Sequence, residues 1–224
     1  DRIKKFEKDV QAWQFIDKKL LIEKADEADT YRKSGKPLGA LHGLPVAVKD
    51  IIGTLDMPTE CGTVFRKKMS SSQDSEIVNL LKNAGAIIMG KTVTCELAYI
   101  HPSKTTNPHD YSRTPGGSSS GSAAVVASHM AHLSIGSQTG GSVIRPASYC
   151  GVVGYKPSYG LISRSGVLKT SEKLDTIGVF GKKVKDVALL AKSLIKKDLY
   201  DTSTIHFAAD DMLKVCEEGP PFEP

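Results

Sequence analysis

The chain predicts an α/β fold built on a largely buried sheet, and three observations carry that prediction. Short β-rich apolar runs alternate with amphipathic helical segments along most of the length. The runs are apolar throughout, as in strands covered on both faces. At 224 residues, with 40% hydrophobic and 25% charged side chains, there is material for one large domain or two small ones.

Taken in order, Ile3, Phe6, Val10 and Trp13 recur at helical spacing, and a charged segment from Leu20 to about Lys33 stops at Ser34-Gly35-Lys36-Pro37. Leu44 to Val48 is a β-rich run that ends at Lys49-Asp50, and residues 53–73 are loop-like. From Asp74 to Ala84, Ile77, Leu80, Leu81 and Ala84 share a helical face, with Ser71 and Asp74 as candidate caps and Gly85 suited to the end. Ala86 to Gly90 then reads as a buried strand and Thr94 to Tyr99 as a short helix. A small-residue helix follows from Ser122 to about Met130, and a strand from His132 to Gly136. Val143 to Tyr149 is helical, Val152 to Gly154 extended. Val184 to Ile195 is a last helix with Val187, Leu190, Ala191 and Leu194 on its apolar side. Residues 201–224 carry two acidic pairs and a proline-rich end without a closing element, so they read as the start of a C-terminal half that is cut short.

Composition excludes several classes. No apolar run approaches the length that crosses a bilayer, about 20 residues. The charged opening Asp1 to Lys5 lacks a signal pattern, so no membrane partner is expected. The net charge of +5 sits in separate short basic runs not interleaved with aromatics, so no nucleic-acid partner is expected either. Cys61, Cys95, Cys150 and Cys216 show neither zinc nor disulfide-framework spacing, and read as free thiols of a reducing, cytoplasmic compartment. Cys150 reads as a small core residue. His129 and His132 are the one close histidine pair, without a carboxylate beside them, so no metal site is expected.

Function concentrates in two Ser/Gly loops, Pro115 to Ala124 and Gly136 to Ala147. Glycine fills no core space and costs backbone entropy, so such density suggests main-chain N–H groups and hydroxyls converging on a ligand. Ser142, after Thr139-Gly140-Gly141 and before an apolar stretch, combines a nucleophile with N–H donors, the geometry of acyl transfer. A phosphate cradle would need Gly-Lys-Ser/Thr or G-x-G-x-x-G, which neither loop contains. Gly117-Ser118-Ser119-Ser120-Gly121 is a literal G-x-S-x-G with Ser119 at its centre, but no strand leads into it, and His206 is the one histidine well downstream. A lysine base is the other option. Lys49 ends an apolar strand, and lowering its pKa from ~10.4 to near 7 requires ~4–5 kcal/mol of differential stabilisation. A solvated charge is the plainer use of such a lysine.

Gly43-Leu44-Pro45-Val46-Ala47-Val48-Lys49-Asp50, Pro115 to Ala123 and Thr139-Gly140-Gly141-Ser142 together resemble the amidase signature family. So do Cys150 to Gly160 and Leu174-Asp175-Thr176-Ile177-Gly178, and the likeness spans residues 37 to 195. The resemblance implies a mixed sheet covered by helices on both faces. It implies domains at 1–36 (helical), 37–200 (the signature core) and 201–224 (the tail). It implies a Ser–cis-Ser–Lys triad: Ser142 as nucleophile, Ser118 as proton relay on a cis peptide, and Lys49 as general base. Thr139, Gly140, Gly141 and Ser142 would form the oxyanion hole, with Ser119 supporting by hydrogen bonding. The implied activity is amide hydrolysis through an acyl-enzyme on a small-molecule amide. No metal or organic cofactor is needed, and a homodimer is left open. Two alternatives stand beside it: the glutaminase component of a tRNA-dependent amidotransferase, and an inactive or truncated member acting as a binding protein. The second loop departs from the family's common Gly-Thr-Asp-Thr-Gly-Gly-Ser-Ile-Arg-x-Pro: Gln138 replaces the aspartate, and Arg145 lies one position later. If those groups normally pair, losing both avoids an unpaired buried charge.

Overall fold

In the computed structural model, which describes residues 1–218, strands β1 (Trp13–Phe15), β2 (Pro45–Lys49), β3 (Ile87–Thr92), β4 (Leu133–Gln138), β5 (Val153–Tyr155) and β6 (Thr176–Gly181) form one sheet in the order β1-β3-β2-β4-β6-β5. β3, β2 and β4 run parallel, while β1 on one side and β6 on the other are antiparallel to their neighbours, as are β6 and β5 to each other. The expected mixed sheet is therefore present.

Helices α1 (Arg2–Val10), α2 (Lys18–Lys33), α3 (Glu76–Asn83), α4 (Ser120–Ala127), α5 (Ile144–Cys150), α6 (Val184–Leu194) and α7 (Met212–Glu218) accompany the sheet, with short 3₁₀ turns at Val64–Arg66 and Glu96–Ala98. Alternation along β2 divides the core. Val46 and Val48 join Ile77, Leu81, Leu190 and Leu194 of α3 and α6 on one face. Ala47 joins Trp13, Val125, Val143 and Phe180 beneath α4 and α5 on the other. α4 lies close against the sheet because its residues are small. A Cβ on Gly121 would stand 2.4 Å from the Ala12 carbonyl oxygen and 2.5 Å from Val93 N. Nothing larger than glycine fits there.

Several expectations need correction. Trp13 lies on a strand, not on the first helix. α1 ends at Val10, and Gln11 takes a left-handed conformation with φ 52°. The Glu7 carboxylate then accepts the N–H groups of Ala12 and Trp13. The helix expected from Asp74 begins at Glu76, and Asp74 does not cap it: its carboxylate accepts the Leu55 N–H and holds the loop instead. The stretch 94–99 contains only a 3₁₀ turn, Glu96–Ala98. β6, wholly buried, and α7 lie where no element was read from the residues. Of the expected tail, residues 219–224 fall outside the described residues. Among the described residues no helix is long and apolar enough to cross a membrane. The four cysteines are free, and Cys150 is a core thiol that burial pushes up to about 12.

Candidate active site

Lys49 closes β2, its side chain on the face that carries Ala47 and α4. The residue is fully buried, and its Nζ lies 2.8 Å from Ser118 Oγ and 2.9 Å from Ser137 Oγ. Among the described residues no carboxylate bonds the amine directly. Desolvation lowers its pKa to about 7, opposed by the nearby Cys95, Asp175 and Cys61. Burial pushes both of those thiols up, so at neutral pH they are uncharged and Asp175 is the anion that opposes.

Ser118 reaches the lysine from the loop that opens α4. The Gly117–Ser118 peptide is cis, and Gly116 takes φ +79°. A Cβ on Gly117 would stand 2.6 Å from Cys95 Sγ, so the loop packs on that thiol with no space to spare. Cys95 N–H donates to the Ser118 carbonyl (3.1 Å), and Arg145 Nε donates to the Gly117 carbonyl (3.0 Å). Ser119 is one step removed from the amine. Its hydroxyl donates to the Ser137 carbonyl (3.1 Å) and accepts the Ser137 N–H (3.3 Å).

The second loop leaves the end of β4. Gln138 Oε1 accepts the N–H groups of Val143 (2.9 Å) and Ile144 (3.0 Å), which opens the turn into α5. A neutral amide thus supplies the acceptor there. Arg145 is exposed and turned to Gly117, so no buried charge is left without a partner at either position. Among the described residues, the N–H groups of Gly140, Gly141 and Ser142 have no protein acceptor, and a Cβ on Gly140 would meet open space. Three N–H donors without a protein acceptor thus lie together beside an open approach. Ser142 is buried at 8% exposure, and no hydrogen bond joins its hydroxyl to Ser118 in this structure. Lys49 and Ser118 are therefore in contact, while Ser142 belongs to the neighbouring loop that Arg145 ties to Gly117.

Two residues of this cluster carried no expectation from sequence. Ser137 is a second hydroxyl on the Lys49 amine, and Asp175 accepts the Thr139 hydroxyl at 2.5 Å. Asp175 belongs to the quoted Leu174-to-Gly178 stretch, so its signal was present without a role. Ser137 carried only its place within the second loop.

A buried amine held by two serine hydroxyls thus lies on an α/β scaffold beside a glycine-rich loop with unpartnered N–H donors. The family described as Amidase matches residues 1–216, and the chain belongs to that family. It is similar to a glutamyl-tRNA(Gln) amidotransferase subunit of Natranaerobius thermophilus, 40% identical over 211 residues, which cover 92% of this chain and 43% of that protein. Among solved structures it resembles the peptide amidase of Stenotrophomonas maltophilia (TM-score 0.89, 31% identity, 95% of this chain and 47% of that one). An amidase family protein from Bacillus anthracis strain Ames is also similar (TM-score 0.86, 36% identity, 91% and 43%). The chain spans a little under half the length of the curated relatives it matches.

Proposed function

We propose that the protein is an amide hydrolase that cleaves a small carboxamide through a serine acyl-enzyme. Ser142 is the nucleophile, Ser118 the proton relay and Lys49 the general base. The N–H groups of Thr139, Gly140, Gly141 and Ser142 hold the carbonyl oxygen as it gains charge. The observation that carries this reading is the 2.8 Å contact between Ser118 Oγ and a lysine amine with a pKa of about 7. A protonated lysine could only donate to that hydroxyl. A neutral one offers a lone pair, and the Ser118 proton can move onto it.

The chemistry then runs in two stages. As Ser142 Oγ bonds to the amide carbon, its proton passes to Ser118 Oγ, and the proton of Ser118 passes to Lys49 Nζ. The relay reverses to protonate the leaving amine, without which it is a poor leaving group. Water then attacks the ester by the same route and frees Ser142. In this mechanism Ser142 Oγ comes within hydrogen-bond reach of Ser118 when substrate occupies the N–H cluster. The test is hydrolysis of simple carboxamides by the wild type and by Ser142→Ala, Ser118→Ala and Lys49→Ala. All three substitutions abolish turnover if the assignment holds; turnover retained in Ser142→Ala overturns it.

A second reading is favoured by the similarity, at 38–40% identity, to proteins named as glutamyl-tRNA(Gln) amidotransferase subunits. There the same residues would release ammonia from glutamine inside a complex with tRNA-binding partners. Strong glutamine preference and dependence on those partners would select it; efficient turnover of simple amides by the protein alone would select the first.

A further inference from the structure

We infer that Asp175 is a positioning residue that sets the oxyanion-binding loop by clamping Thr139; this rests on the proposed function. The placement follows from strand register. β4 and β6 are antiparallel with Gln138 opposite Thr176, so the next pair outward is Thr139 and Asp175. The ladder ends there, and side chains carry the pairing one step further. Asp175 Oδ1 accepts the hydroxyls of Thr139 (2.5 Å) and Thr170 (2.9 Å). Its Oδ2 accepts the N–H groups of Thr170 (2.6 Å) and Ser171 (2.9 Å). The hydroxyls of Thr139 and Thr170 also lie 2.9 Å apart.

Asp175 is buried, and both its oxygens are engaged. Such a carboxylate is rigid, and its charge makes each of these bonds stronger than a neutral one. Thr139 is the first residue of the donor loop. Gly140, next along, has open space on its Cβ side and nothing of its own to fix it. The orientation of the loop's N–H groups therefore depends on how its first residue is held. Oxyanion donors must meet the developing charge without reorganising, so a loosened clamp lowers the rate rather than the binding of substrate.

Asp175 also acts at a distance on the base. The groups set against Lys49 are the hydroxyls of Ser118 and Ser137, the neutral thiols of Cys61 and Cys95, and Asp175, the one negative charge among these groups. Desolvation raises the Asp175 carboxyl, but the N–H and hydroxyl donors from Ser171, Thr139 and Thr170 outweigh it, so the group stays ionised. Removing its charge lowers the Lys49 pKa further.

The experiment measures the rate of Ser142 phosphonylation by a fluorophosphonate across pH 5–9, with thermal melting as a fold control. The phosphonyl oxygen occupies the oxyanion site, so the rate reports loop geometry. Asp175→Asn is expected to label about 10- to 100-fold more slowly than wild type on the high-pH plateau. Its pH midpoint should move to the acid side. Thr139→Val should also slow labelling at least tenfold, and Thr139→Ser should recover most of that loss. Should Asp175→Asn fail to fold, the Thr139 pair decides alone. Wild-type labelling rates in Asp175→Asn or in Thr139→Val overturn the inference while the Ser142 assignment stands. No labelling of Ser142 in the wild-type protein overturns the proposed function, and with it the inference.

Discussion

Two lysines on neighbouring strands, Lys49 and Lys91, are each wholly buried, yet their surroundings ask different things of them. Register sets them apart: Lys91 is the partner of Val48, so it projects from the face opposite Lys49. Lys91 Nζ donates to the carbonyls of Ile52 (2.6 Å) and Pro58 (3.2 Å) and to the hydroxyls of Thr59 (2.7 Å) and Thr54 (3.3 Å), with Asp50 Oδ1 at 3.7 Å. Carbonyls and a carboxylate can only accept, so this cage favours an ammonium. Burial lowers its pKa only to about 8, and Asp50 opposes the fall. Lys49 faces hydroxyls, which accept or donate equally well. Desolvation lowers both amines, and what sets them apart is the carbonyls and the carboxylate around Lys91, which hold an ammonium and have no counterpart in direct contact with Lys49.

Substitutions separate the two roles. The largest expected effect is on activity. Lys49→Met should lower kcat/KM by about 10⁴-fold or more, since loss of the base disables the nucleophile it serves. Lys91→Met should instead act on stability. It leaves the Asp50 carboxylate, which burial already pushes up to about 6, without its counter-charge. Chemical denaturation should show a loss of about 3–5 kcal/mol, and Asp50→Asn combined with Lys91→Met should recover much of it. Stability lost equally on Lys49→Met would erase the contrast.

The pH dependence of stability sharpens it. Between the folded pKa of Lys49, about 7, and its ordinary 10.5, the unfolded chain binds more protons than the folded one. Lys49 therefore makes wild-type stability rise with pH across that window, by a few kcal/mol at most. Lys91 adds a rise of the same sign from about 8 to 10.5. Lys49→Met should remove its own share of that slope and keep that of Lys91, which urea midpoints at several pH values would register. The smallest effect expected is at the loop. Gly117→Ala places a Cβ against Cys95 Sγ. It should cost about 1–3 kcal/mol in a thermal melt, relieved in part by adding Cys95→Ala.

What sequence could and could not foresee follows the same division. Lys49 stood out because a strand ends on it, though its role as base was implied only by the family resemblance, and Ser142 stood out because glycines crowd beside its hydroxyl. Their partners did not. Ser137 and Asp175 enter the site through the pairing of β4 with β6, and β6 went unread because Thr176–Gly181 is a short run with glycines at 178 and 181. The helical spacing of Ile3, Phe6, Val10 and Trp13 was real for three of the four. It failed at Trp13 because Glu7 takes up the N–H groups that a longer helix would need. Lys91 drew no attention in a strand of otherwise apolar and small residues, since its cage comes from a loop far earlier in the chain, Ile52 to Thr59.

The central claim is that the Lys49 amine is uncharged near neutrality and takes the proton that leaves Ser142 by way of Ser118. It is tested most directly by the pH profile of kcat/KM for an unactivated carboxamide whose own groups do not titrate between pH 5 and 10. A single rise with its midpoint near 7, flat above it and absent in Lys49→Met, is expected. A midpoint near 10, the position of an ordinary lysine, would contradict it.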